Sequence, residues 1–86
     1  MTEIKRKPLA PEEKVVLVAL ADACNWSLTA RVPVEAVCAR FRKDKRGMVK
    51  DVLEELRRRG YAWFAKGTWY ISREGLAEAE KSLKPT

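Results

Sequence analysis

The hydrophobic period of this 86-residue chain changes at Gly60, and that change dictates what the chain can fold into. Upstream, Val49, Val52, Leu53 and Leu56 recur at the spacing of one helix face. Downstream, Tyr61 to Ala65 and Thr68 to Ile71 are aromatic and β-branched runs with the two-residue period of strands. Lys66 and Gly67 between them form a short turn signal, so the two runs read as a β-hairpin. Gly60 follows Arg57, Arg58 and Arg59 and suits the left-handed position just beyond a helix. The three arginines lie favourably at the negative end of that helix dipole. A helix that must pack against a hairpin makes the chain α+β, mostly α.

The remaining elements follow from local signals. Residues 1–9 read as a basic N-terminal tail carrying Lys5, Arg6 and Lys7, and residues 10–84 as one domain. Pro11 suits the first turn of a helix, where Glu12 and Glu13 complement the positive end of the dipole. Ala10 is a poor cap, and the helix runs to about Cys24. Asn25 to Arg31 form a connection leading to a short extended segment near Val32. Pro33 starts a second helix whose apolar face is Val34, Val37, Cys38 and Phe41. Asp44 is the expected N-cap of the third helix. Ser72 is the expected cap of the last, in which Leu76, Ala79 and Leu83 form the apolar stripe. Pro85 follows that helix, one residue before Thr86.

Length and composition bound the rest. A chain this short holds one thin core, and 47% hydrophobic residues mark it as folded rather than disordered. The longest apolar run, Val15 to Ala21, has seven residues, far short of a membrane span. The N-terminal segment has no apolar stretch of the secretory kind, so the expected compartment is the cytoplasm. Cys24 and Cys38 are too few for a disulfide framework and read as small buried hydrophobes. A disulfide between them stays open as an alternative, because the absence of Gln and His, the single Asn25 and the abundance of ions are thermophile-like.

Charge is unevenly placed. Residues 1–39 carry five basic and five acidic side chains, whereas residues 40–59 carry nine basic against four acidic and so hold most of the +6 of the chain. A concentrated basic surface draws polyanions and speeds their encounter.

The order helix, helix, turn, helix, hairpin, helix resembles the winged helix-turn-helix family. The resemblance is carried by Val52-Leu53-Glu54-Glu55-Leu56-Arg57-Arg58-Arg59-Gly60-Tyr61 and by Thr68-Trp69-Tyr70-Ile71-Ser72-Arg73-Glu74-Gly75-Leu76. It covers roughly residues 10–84 and is similar above all to small archaeal and archaeal-virus transcription regulators. It implies a three-helix core, a β-hairpin wing and a C-terminal helix. It also implies that the third helix enters the DNA major groove. Carried over position by position, Lys45, Arg46, Gly47, Lys50 and Asp51 meet base edges, and Arg42 and Lys43 meet phosphates. The wing tip, Lys66, Gly67 and Thr68, reaches the adjacent backbone or minor groove.

The residues beneath the resemblance agree in part. With Val49, Val52, Leu53 and Leu56 facing inward, Gly47, Lys50, Asp51, Glu54 and Arg58 face outward. Arg46 or Lys50 suits the acceptors of guanine and Asp51 the amino group of cytosine. Gly47 either leaves the helix start bare for a phosphate or answers a tight packing need. Asp51, Glu54 and Glu55 oppose a phosphate-lined groove, so either only the first turn and a half enters it or the helix docks a protein. The function expected first is therefore a sequence-specific double-stranded DNA-binding regulator; the alternative is a protein-interaction module of a larger complex. A third reading, RNA or single-strand binding, rests on the hairpin aromatics. Of these, Tyr61, Trp63 and either Trp69 or Ile71 are expected in the core, with Phe64 or Tyr70 left outward.

The first helix is apolar on too many sides for a three-helix core. Val15 and Val18 are the expected contacts of a homodimer, which would set two-fold half-sites. The hairpin or the tail is the alternative cover. No enzyme is expected: there is no His, the two Cys lack metal-ligand companions, and no Gly-rich phosphate loop occurs. Neither a metal, a cofactor nor a small-molecule substrate is indicated.

Overall fold

The computed structural model describes residues 9–83. In chain order the elements are α1 (Pro11–Ala23), α2 (Val34–Cys38), a 3-10 turn (Lys43–Lys45), α3 (Arg46–Arg58), β1 (Ala62–Ala65), β2 (Thr68–Ile71) and α4 (Arg73–Leu83). The architecture is α+β and mostly helical. The cluster Lys5, Arg6 and Lys7 and Pro85 lie outside the described residues. Leu9, counted with the tail, is itself buried in the core.

Helix α1 is the central element and packs against α2, α3, α4 and β2. That explains its near-continuous apolar composition: Val16, Leu17, Ala19, Leu20 and Ala21 are all buried. Pro11 occupies its first turn, and the Glu13 carboxylate accepts the amide of Ala10 at 2.8 Å, supplying the cap that Ala10 lacks. The helix ends through Asn25 and Trp26, both with φ of 58°. The Trp26 amide donates back to Ala21 and the Asn25 amide to Asp22, the hydrogen-bond pair of a left-handed helix stop in which Asn replaces Gly.

Helix α3 buries Val49, Val52, Leu53 and Leu56 against this centre. Full burial of each such side chain is worth about 1.5–3 kcal/mol. Its end follows the expectation: Gly60 has φ of 83°, the Tyr61 amide donates to Leu56 and the Gly60 amide to Arg57. Its start does not. Asp44 sits inside the 3-10 turn, and Lys45 directly precedes the helix. The Lys45 and Arg46 amides donate to the carbonyls of Arg42 and Lys43, so the turn runs into the helix without a side-chain cap. Asp44 pairs instead with Arg42, at 3.7 Å.

The hairpin pairs Ala62 with Ile71, Trp63 with Tyr70, Phe64 with Trp69 and Ala65 with Thr68. Lys66 and Gly67 have φ of 53° and 78°, the twin left-handed residues of the tightest hairpin turn. Val32 adds a one-residue third strand: its amide and carbonyl exchange hydrogen bonds with Trp69 at 2.9 and 2.6 Å.

The expectation for Trp63 fails. Tyr61, Trp69 and Ile71 are buried, but Trp63 is 44% exposed. Tyr61 belongs to the helix-ending turn rather than to β1. Strand alternation therefore begins with Ala62 pointing inward, and Trp63 is sent outward beside Tyr70. Phe64 is exposed as expected, its ring 5.0 Å from Trp69.

Ser72 caps α4 as expected. Its hydroxyl accepts the Gly75 amide at 3.0 Å and donates to the Gly60 carbonyl at 2.6 Å, tying the last helix to the end of α3. Ala79 is buried and Leu76 half-buried. Leu83, expected in the same stripe, is 54% exposed: it is the last residue of α4 and lines an open groove with Val15 and Val18 of α1.

Candidate functional site

The turn before α3 and the first two turns of α3 gather the cations with the fewest partners. Arg42, Lys43, Lys45, Arg46 and Lys50 are all exposed. Among the described residues, Lys43, Lys45, Arg46 and Lys50 make no ion pair, and Arg42 has only the long contact to Asp44. Arg46 and Lys50 stand one turn apart on one face of α3, with Gly47 and Asp51 forming the neighbouring row.

The rest of the basic segment is neutralised locally. Arg57 pairs with Glu54 at 2.9 Å and Arg58 with Glu55 at 3.4 Å, each one turn apart on α3. Arg59 pairs with Glu13 at 3.1 Å, and Arg40 pairs with Asp22 of α1. Uncompensated positive charge thus shrinks from residues 40–59 to residues 42–50. The carboxylates that argue against a phosphate-facing helix are two fewer, since Glu54 and Glu55 each hold an arginine. Glu54 also lies about 12 Å along the helix from Arg46, beyond the ~8 Å screening length of physiological salt. Two exposed carboxylates remain among the cations, Asp51 and Asp44, the latter with only its long contact to Arg42.

Gly47 has a definite reading. A Cβ added there meets nothing within 4 Å. Packing therefore does not require glycine, and what glycine provides is an unobstructed surface between Arg46 and Lys50. The amide of Arg46 is already taken by Lys43, so the bare helix start offers its surface more than free donors.

At the hairpin tip Lys66 and Gly67 are exposed, and the Thr68 hydroxyl donates to the Ala65 carbonyl at 2.8 Å. Among the described residues no hydrogen bond or ion pair joins this tip to α3.

Val15 is 55% exposed, and Val18 is half-buried. Val15 lies where three shallow grooves meet, one towards Val18 and Leu83, one towards Pro11 and Ser82, and one towards Phe41 and Met48. Helix α4 covers part of α1 and leaves this patch open.

Two features escape the sequence reading. The Arg31 guanidinium lies 4.8 Å from the centre of the Tyr70 ring, and Trp63 stands exposed next to Tyr70. Only the strand register, with Val32 as its third member, brings them together.

Cys24 and Cys38 are buried free thiols. Burial pushes the Cys24 thiol above its ordinary pKa, opposed by a backbone hydrogen bond with Ile71. Among the described residues no group of three or more His, Cys, Asp or Glu side chains is placed to hold a metal ion, and no helix is long and apolar enough to cross a membrane. Comparison of the chain with protein-family models, curated proteins and solved structures gives no match.

Proposed function

We propose that the chain is a sequence-specific double-stranded DNA-binding regulator of the winged-helix kind, contacting the duplex through residues 42–50 and the hairpin tip. The observation that carries this reading is the run of unpaired cations on the 3-10 turn and the start of α3, with the open surface of Gly47 between them. Every other arginine of the basic segment holds a carboxylate. Lys43, Lys45 and Arg42 suit phosphates, which position a protein without reading sequence. Arg46 and Lys50, one turn apart, suit the acceptors of guanine, and Asp51 suits cytosine. Lys66 at the hairpin tip, with Gly67 and Thr68, suits an adjacent phosphate.

A two-fold dimer through α1 belongs to the same reading. Lys14 and Asp22 flank Val15 and Val18 on the outer face of α1. An antiparallel pairing of two copies about Val18 sets Lys14 of one copy against Asp22 of the other. The Asp22 carboxylate also holds Arg40 of its own chain, so the apolar Val15 and Val18 carry the contact, the same patch on both copies as a two-fold interface requires. Such a dimer presents two α3 helices to two symmetric half-sites.

The test is fluorescence anisotropy of a labelled random-sequence duplex across a salt series. Affinity is expected to fall by about 0.9 log units per log unit of salt for each phosphate contacted. No binding at low salt overturns the reading.

A further inference from the structure

The outward face of the small sheet carries a row of three side chains that the duplex reading does not use. Val32 faces Trp69 and Trp69 faces Phe64, so on the opposite face Arg31, Tyr70 and Trp63 stand side by side across the three strands. The Arg31 guanidinium lies over the Tyr70 ring at 4.8 Å. Trp63, next in the row, is 44% exposed, although burying an indole is among the larger single gains a fold can make. Adjacent strands are about 4.8 Å apart, so the row spans roughly 10 Å of flat, aromatic and cationic surface.

Its electrostatics select the partner. From Gly60 to Ser72 there is no carboxylate, and the one charged residue is Lys66 at the tip. Among the described residues neither Arg31 nor Lys66 makes an ion pair. An exposed indole beside a guanidinium-capped tyrosine, ringed by unpaired cations, matches what an unpaired base and its phosphates require: a ring face to stack on and positive charge to either side.

We infer that this row is a binding site for single-stranded DNA. Trp63 stacks on an unpaired base, Tyr70 holds the Arg31 guanidinium beside it, and Arg31 and Lys66 hold the flanking phosphates. The site is distinct from residues 42–50, which read a closed duplex, and would let the protein engage DNA where a few base pairs have opened.

The test uses the full chain and a labelled deoxythymidine 12-mer at low salt, beside a duplex of mixed sequence. The wild-type chain binds the 12-mer. Trp63→Ala weakens that binding roughly tenfold, the effect of removing one base-stacking aromatic, and leaves duplex affinity within about twofold. Trp63→Phe keeps a ring face and loses far less. Both variants are checked for the native far-ultraviolet circular dichroism spectrum, which an exposed position preserves. Lys50→Ala leaves 12-mer binding unchanged. The inference is overturned if the wild-type chain does not bind the 12-mer, if Trp63→Ala binds it as the wild type does, or if a uridine 12-mer binds tenfold more tightly than the deoxythymidine one. Loss of 12-mer binding on Trp63→Ala, in a chain that never binds the duplex, supports this site and defeats the duplex reading. Tight duplex binding without 12-mer binding does the reverse.

Discussion

The carbonyl oxygen of Tyr61 stands 2.0 Å from where a Cβ on Gly75 would be. The first turn of α4 is pressed against the backbone that leaves α3, and the same carbonyl accepts the Ser72 amide at 3.1 Å. Gly75 is there because no side chain fits, and the contact holds the last helix across the base of the hairpin.

Gly75→Ala should therefore destabilise the chain although alanine is the better helix former. A clash with backbone cannot be relieved by a rotamer change, and overpacking of this kind costs about 1–3 kcal/mol. In a domain of this size each kilocalorie lowers the melting temperature by about 4–8 °C. Thermal unfolding followed by circular dichroism should show a fall of roughly 10 °C. An unchanged or raised midpoint would mean that α4 does not sit this closely on Tyr61.

Glu13 joins the start of α1 to the end of α3. Its carboxylate accepts the Ala10 amide and pairs with Arg59, and both side chains are only about one-sixth exposed, at 15% and 16%. Glu13→Ala removes a helix cap and leaves a poorly hydrated guanidinium, a combined loss of about 2–3 kcal/mol. The urea midpoint should fall accordingly. Asp22→Ala, whose pair with Arg40 is about half exposed, should cost less than about 1 kcal/mol.

Lys43 and Lys50 should behave differently on DNA. Lys43→Ala should weaken cognate and random duplexes alike and lower the salt slope by about one contact. Lys50→Ala should weaken the selected site by about 1–3 kcal/mol and relax base choice. Anisotropy titrations of both variants on both duplexes check this, and identical behaviour would defeat the division between phosphate and base contacts.

Val15→Glu should give a monomer without unfolding the chain. Val15 is more than half exposed, so a carboxylate there costs the monomer little, but in the proposed dimer it would bury a charge in the apolar contact between two α1 helices. Sedimentation equilibrium should show one species at the monomer mass for the variant and a dimer for the wild type. A wild-type monomer at high concentration would remove α1 as an interface.

Cys24 makes stability depend on alkaline pH. Its folded-state pKa lies above the ordinary 9.0. Below that value both states keep the proton and the thiol contributes no slope. Above it the unfolded chain releases its proton first, so stability falls as pH rises until the folded thiol also ionises. Urea unfolding above about pH 9 should show a fall that is shallower in Cys24→Ala than in the wild type.

Much of the fold was legible because it rests on short-range physics. The Gly60 stop needs only a left-handed residue after a helix, the Lys66-Gly67 turn only two left-handed positions between strand runs, and the face of α3 only its four apolar residues. The start of α3 was not: capping propensity favoured Asp44, while a 3-10 turn made of backbone hydrogen bonds left that carboxylate outside.

The sequence by itself thus determined the order of elements, the helical core positions and the basic character of residues 40–59. Tertiary structure decided which of those charges remain unpaired, because Arg59 meets Glu13 across 46 residues and Arg40 meets Asp22 across 18. It also decided that Trp63 faces outward beside Tyr70 and Arg31. Alternation tells which side chains share a face, but only the packing of that face against distant helices tells which face is inside.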